Sequence, residues 1–396
     1  MNPKMAALGA VLATWMTSAA FAEEPIRIGF ITTLTTPAAA IGNDMVDAVK
    51  LAVDHAGGTI AGHPIEVIYE DDGLQPDLGR QKAEKLVRQE KVDVVAGFIW
   101  SNVLMAARKT VIDSDAFLIS TNAGPSDMAG KLCNPDFFSL RGQNDMVPMA
   151  LGKVMNEQER KKLYVLAPNY AAGIDMVKGV ERTFGGEVVG RDFTKWGDDP
   201  QLDFSAELAK VAASGADALF AFYPGRAATF ARQFEQAGLK DKVKLYSVYT
   251  LDQIVLPQLQ KAGVDVVLGS STADYWSPDI DTPANRRFVE DFQKRYGRLP
   301  SNYAAAAYDL IPYLKAAVEQ SGGDIKNRDA VRKALIAADY DSVRGRYELA
   351  RNHFPIDNYR GLTIAADASG AWTLKSDGVE LKQLVDPYVD ACRNEK

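Results

Sequence analysis

Across 396 residues there are two cysteines, three histidines and no block of lysine and arginine. Each scarcity excludes something. His55, His63 and His353 form no ligand-like spacing and neither cysteine sits in one, so the sequence offers no metal centre. There is no Gly-x-Ser-x-Gly elbow and no His-Glu-x-x-His helix, which removes two common hydrolase signatures and argues against an enzyme. A formal charge of −7 without a basic run argues against nucleic acid and against adhesion to an anionic lipid surface. Beyond residues 1–22, no apolar run is long enough and free enough of charge to span a bilayer.

What is present begins with those 22 residues. Lys4 supplies a positive start, Met5 to Thr17 a short apolar stretch, and Ala20-Phe21-Ala22 a small-x-small cleavage site before the polar Glu23-Glu24-Pro25. The reading is a cleaved secretory signal peptide, with a retained N-terminal anchor as the alternative. An exported chain meets no nucleotide pool, which weighs against ATP- or NAD-dependent chemistry. In an oxidising compartment Cys133 and Cys392 read as one long-range disulfide, two free thiols being the alternative. About 374 residues remain after the leader, enough for two domains.

Apolar strands alternate with amphipathic helices through this remainder. Strands are predicted at Ile26–Leu34, Ile65–Glu70, Val92–Phe98 and Phe117–Thr121, with helices between them. The pattern restarts after Arg141 and includes a strand at Val264–Ser270. Three helices then return, at Pro283–Tyr296, Asn302–Gln320 and Asp329–Ala338, and are read as completing the first lobe. A hairpin over Gly361–Trp372 turns near Ser369-Gly370. The fold class is α/β: two doubly wound parallel-sheet lobes joined by a multi-strand hinge. Residues 23–142 plus 273–350 form one lobe, and 143–272 plus 351–396 form the other with the tail.

Several stretches carry a resemblance. They are IRIGFITTLTTPAAAIGNDMVDAVKLAVD, IEVIYEDDGLQPDLGRQKAEKLVRQEKVDVVAGFIWSN, FLISTNAG and RRFVEDFQKRYGRLPSNYAAAAYDLI, in that order and spacing. In these the chain resembles the leucine/isoleucine/valine-binding-protein family, the type I periplasmic solute-binding proteins of ABC transporters. It departs in a first loop, Thr32 to Ala40, without the family's glycine-rich form, and in a longer tail after Trp372. The resemblance implies a periplasmic, monomeric shuttle. Its lobes close on a small molecule, and the closed form is recognised by a membrane permease. No cofactor is implied. A soluble sensor for a membrane receptor is the neighbouring reading. The resemblance also implies that loops matching Ser101-Asn102 and Ala123-Gly124 hold a ligand carboxylate, and that the position matching Tyr170 packs on it from the other lobe.

Ligands of open α/β sheets bind beyond the carboxyl ends of strands. Those positions carry Thr33 and Thr35; Trp100, Ser101 and Asn102; Thr121, Asn122, Ala123 and Gly124; Tyr170; Tyr223 and Arg226; Tyr249 and Thr250; and Trp276. The set is hydroxyls, amides, backbone N–H groups and aromatics, which suits a small organic acid. Each has a plainer reading: the hydroxyls as turns or caps, Trp100 and Trp276 as core or hinge packing, Arg226 as a surface cation. Asp71-Asp72 reads as loop structure and Asp198–Pro200 as a turn. An amino-acid ligand needs an acidic group for its ammonium. The second-lobe segment SVYTLD offers only Asp252, in uncertain register, which tilts the reading toward an aromatic or other apolar carboxylate.

Overall fold

The computed structural model describes residues 23–394 apart from Asp198 and Ala338, and leaves out the side chains of Val379 and Glu380. The expected signal peptide, residues 1–22, and Asp198 of the expected turn lie outside the described residues. Among the described residues no helix is long and apolar enough to cross a membrane.

The first lobe contains β1 (Ile26–Thr32), α1 (Ala39–His55), β2 (Thr59–Ile60), β3 (His63–Asp71), α2 (Pro76–Arg88), β4 (Val94–Gly97), α3 (Ser101–Ile112), β5 (Phe117–Ser120), α4 (Ser126–Ala129) and β6 (Phe137–Ser139). Its sheet runs β2-β3-β1-β4-β5-β6, parallel except where β2 turns back on β3. β4 and β5 are buried along their whole length, as unbroken apolar runs covered on both faces should be.

The second lobe follows with α5 (Met146–Glu157), β7 (Lys162–Pro168), α6 (Ala171–Thr183), β8 (Glu187–Thr194), α7 (Ser205–Ala213), β9 (Ala218–Ala221), α8 (Ala227–Gln236), β10 (Lys244–Ser247), α9 (Leu256–Lys261) and β11 (Ser271–Asp274). The chain then returns to the first lobe as α10 (Pro283–Tyr296), α11 (Asn302–Gln320) and α12 (Arg328–Ala337), and α11 packs along α1. Thr282 caps α10 and Ser301 caps α11. Asp44 on α1 accepts the Ser301 N–H at 3.0 Å and pairs with Arg298 at 2.6 Å, docking the returning helices by their ends. Finally β12 (Glu348–Leu349), β13 (Pro355–Ala366) and β14 (Trp372–Leu384) extend the second sheet, whose order is β12-β13-β11-β10-β9-β7-β8 with β14 beside β13.

Two expectations are corrected. Val264–Ser270 is not a strand: Asp265–Val267 forms a single 3-10 turn, and the strand begins at Ser271. Gly263 and Gly269 bracket this stretch with φ of 68° and 75°, and a short apolar run alone does not separate a buried turn from a strand. The C-terminal hairpin is also much longer than Gly361–Trp372. The sequence reading missed β2, α4, β6 and α9, all six residues or fewer.

Among the described residues the chain crosses between lobes three times, between β6 and α5, between β11 and α10, and between α12 and β12. The crossings share a buried charged core. Arg141 meets Asp274 at 3.5 Å, and Arg344 meets Asp357 at 3.2 Å and Asp309 at 3.6 Å. Tyr275 lies between the two guanidiniums, 5.0 Å from Arg141 and 4.5 Å from Arg344. Gly142 must be glycine here, since a Cβ would fall 1.7 Å from the Tyr359 hydroxyl. Cys133 and Cys392 are joined by a disulfide that returns the tail to the loop after α4.

Candidate functional site

Just past β1, Thr33 donates to Asp72 at 2.6 Å and accepts the Trp100 indole N–H at 2.7 Å. Thr35 donates to Asp71 at 2.7 Å, and Asp71 also accepts the N–H groups of Leu34 and Gly73. The acidic pair therefore organises loops. Thr33 and Thr35 do not line the inner cavity; their hydroxyls are spent within the first lobe, and Thr33 serves by fixing Trp100. Burial, opposed by the Thr33 bond, still pushes the Asp72 carboxyl up to about 6.

Trp100 precedes α3, so the N–H groups of Ser101, Asn102 and Val103 start that helix without intrahelical acceptors. Ser101 is buried and its hydroxyl accepts from the Asn144 amide at 3.2 Å. Asn144 also donates to Asp175 and accepts the Gly124 N–H at 3.3 Å. Asn122 donates to the Ile99 carbonyl at 2.7 Å, and its side-chain oxygen accepts from Arg141. Ala123 N–H donates to the carbonyl of Phe98, a non-glycine residue held at φ 67°. Such a conformation is retained only where the surroundings impose it.

Arg141 is 2 % exposed and occupies the centre of this space. Its guanidinium lies 4.0 Å from the Tyr249 ring centroid and 5.4 Å from that of Tyr303. Burial works against its charge, but Tyr249, Asp274, Tyr275 and Tyr303 more than offset this, and its pKa is raised. Its Nε has no hydrogen-bond partner among the described residues. Tyr249 sits at φ 54°, a second strained position beside the same cation.

Around Arg141 stands an aromatic wall drawn from both lobes. Tyr170 stacks on Trp196 at 4.7 Å and 11°, and Trp196 meets Trp100 edge-on at 5.2 Å. Phe222 bridges Tyr170 and Tyr249 at 6.3 and 6.2 Å. The narrow space within this wall is bounded by Ile99, Trp100, Ser101, Asn122, Arg141, Gly142, Asn144, Tyr170, Ala172, Met176, Phe222, Pro224, Tyr249 and Tyr303, with no Asp or Glu among them. The lobes meet at the mouth, where a Cβ on Gly225 would stand 3.1 Å from that of Ala38.

Of the residues singled out from sequence, Trp100, Ser101, Asn122, Tyr170 and Tyr249 converge on this cavity. Ala123 and Gly124 lie in the loop behind it, and Asn102 is not among the lining residues. Others go elsewhere. Tyr223 packs in the second lobe's core against Phe204 and Phe230, its hydroxyl 3.2 Å from that of Thr194. Thr250 accepts the Tyr223 N–H at 2.7 Å and donates to nearby carbonyls, so its hydroxyl is consumed. The Thr121 hydroxyl faces the Gly97 carbonyl. Trp276 donates to Asn285 at 2.8 Å and borders a separate small space beyond Tyr249, together with Asp252 and Asp274. Arg226 caps the approach to α8 and lines the mouth. Sequence reasoning missed Arg141, Asn144, Trp196, Phe222 and Tyr303. The one available signal for Arg141 was a cation directly after the apolar run Phe137-Phe138-Ser139-Leu140.

Asp252 is buried in that separate space beyond Tyr249. Burial raises its carboxyl to about 7 against the N–H groups of Val255 and Ile254, with Asp44 and Asp274 adding repulsion. It also faces Tyr303. Asp44 is raised to about 6, burial outweighing Arg298 and Ser301. Folded carboxyls raised above their ordinary 3.8 stabilise the fold below about pH 4, and that contribution is lost as pH rises through about 6 to 7. Thermal melts of the ligand-free protein should therefore drop by several degrees between pH 5 and 8. Asp252→Asn should flatten that slope and melt higher than the parent at pH 8. Parallel slopes in the two proteins would contradict the assignment.

Residues 25–369 match the family model described as periplasmic binding protein. The chain is 26% identical over 342 residues to Leu/Ile/Val-binding protein homolog 6 of Brucella abortus, covering 83% of this chain and 84% of that one. Among solved structures it is similar to a solute-binding protein of an ABC transporter from R. palustris in complex with benzoate, with 26% identity, TM-score 0.85, and 93% and 99% of the two chains covered. A second, from Rhodopseudomonas palustris BisB5 in complex with 3,4-dihydroxybenzoic acid, matches at 26% identity and TM-score 0.83 over 92% of this chain and 99% of that one.

Proposed function

The chain belongs to the periplasmic binding protein family, a solute-binding rather than catalytic family, and from that premise we propose that it serves an ABC importer by capturing a small carboxylate with an aromatic body. The observation that carries this reading is Arg141, a permanent buried cation inside an aromatic enclosure that no Asp or Glu lines. A carboxylate satisfies the guanidinium and the free N–H groups at the start of α3. A ring fills the space between Tyr170, Phe222 and Tyr249. An α-amino acid would bring an ammonium with no acceptor in that enclosure, and an uncompensated buried charge is costly. The benzoate and dihydroxybenzoate held by the two structural relatives support the aryl acid, while the name of the curated relative supports a branched-chain amino acid.

Binding proceeds on the first lobe at Ser101 and Arg141, after which the second lobe brings Tyr170, Trp196 and Phe222 over the ring. Contacts made only in the closed form shift the population toward it. A periplasmic monomer so closed presents paired lobe surfaces to the permease. A thermal-shift screen followed by calorimetry tests the ligand class. Benzoate, 4-hydroxybenzoate or 3,4-dihydroxybenzoate at a hundredfold excess over Kd should add about 2.7 kcal/mol of stability, a shift of several degrees. Stabilisation by leucine or valine but by no benzoate would overturn the aryl reading and point to Asp252 as the ammonium partner.

A further inference from the structure

Two spaces lie in series along the cleft. The inner one surrounds Arg141; the outer one, about 240 Å³ at the mouth, is bordered by small residues such as Ala38, Gly73 and Gly225 together with Arg226. Pro224 borders both, and Trp196 borders the outer one while its ring packs on Tyr170 and Trp100, two walls of the inner one. Trp196 stands in the loop after β8, so its indole is a second-lobe element laid against a first-lobe tryptophan. Its Nε1 is buried without an acceptor among the described residues, which is costly for an indole N–H.

We propose that Trp196 is the specificity-determining partition of this cleft: it limits the ligand to the length of the inner space and supplies a hydrogen bond to an acceptor on the ligand. The proposal rests on the aryl-carboxylate reading. With the indole in place, the body of an acid anchored at Arg141 is stopped short of the outer space. With it removed, the inner and outer spaces join through the gap beside Pro224, and an acid of the same head group gains room for a longer body. The orphaned N–H explains why tryptophan rather than phenylalanine stands there, since of these two rings only the indole carries a donor at its edge.

Calorimetry on the parent, Trp196→Ala and Trp196→Phe proteins with benzoate, 3-phenylpropenoate and biphenyl-4-carboxylate tests this. The quantity read is the affinity ratio of each longer acid to benzoate, which cancels any general weakening of the variant. Trp196→Ala should raise that ratio at least tenfold. Trp196→Phe should leave it within about threefold of the parent while weakening benzoate itself, because the donor is gone. An unchanged ratio in Trp196→Ala overturns the partition. If the parent binds none of the three acids, the aryl reading fails on its own. The partition is then read from acrylamide quenching in a Trp276→Phe, Trp372→Phe background, which leaves Trp100 and Trp196 as the tryptophans after the leader. Removing the Trp196 ring should at least double the quenching constant of the remaining buried emission from Trp100, and an unchanged constant overturns it.

Discussion

Arg141→Met is expected to abolish measurable binding of aryl carboxylates. Removing one partner of a buried, hydrogen-bonded charge pair costs about 2–5 kcal/mol, roughly 30- to 5,000-fold in affinity. The same substitution strips Asp274 of the cation 3.5 Å away and leaves its carboxylate inside the hinge. A buried charge left alone destabilises by about 3–5 kcal/mol, so lost binding alone would not prove contact with ligand. Arg141→Met with Asp274→Asn separates the two effects. The asparagine is neutral; its oxygen can still accept the Tyr275 N–H, and its NH2 can donate to the Asn302 side-chain oxygen once that amide turns over. The double variant should recover most of the lost melting temperature and none of the binding. Parent-like affinity in that variant would show that Arg141 is a hinge residue only.

The second large effect concerns the bridge between Cys133 and Cys392. It closes a separation of 259 residues, for which chain entropy gives an upper value of about 5.6 kcal/mol and native disulfides typically deliver about 2–5. The replacement of both cysteines by serine should lower the melting temperature by about 5 °C or more. The tail keeps other holds: Arg182 and Tyr388 share Asp145, Arg351 donates to the Val389 carbonyl at 2.9 Å, and Asn352 joins Asp386 to the Ala129 carbonyl. None of these groups lines the cavity, so affinity should change less than threefold. A melting shift below 1 °C would show that these polar contacts suffice without the bridge.

The lobes were legible because parallel strands buried on both faces write themselves as apolar runs, and because α10 and α11 carry Pro, Ser, Thr and Gly at the ends where helices need them. The site was legible only where a strand of that kind delivered a residue straight to the cleft, as with Trp100 and Ser101. At the end of β9 the pleat decides: Phe222 faces the cleft and Tyr223, one residue on, faces the core. Residues past a strand's end carry no periodicity from which to choose between them. Trp196 follows β8, an edge strand with a mixed pattern of burial and no apolar run to announce it. Arg141 escaped because a lone arginine after three residues of strand reads as surface. Its burial is produced by Tyr249, Tyr275 and Tyr303, which arrive more than a hundred residues later.

The return of α10–α12 to the first lobe also sets an order in time. Helix α1 is among the first elements made, yet the partner that covers it and the Ser301 group that meets Asp44 are 257 positions downstream. A nascent chain that has reached α9 holds a first lobe with one flank bare and a second sheet still lacking β13. Neither half is a unit that can finish early and wait. Both lobes therefore complete together, once nearly the whole chain has been delivered.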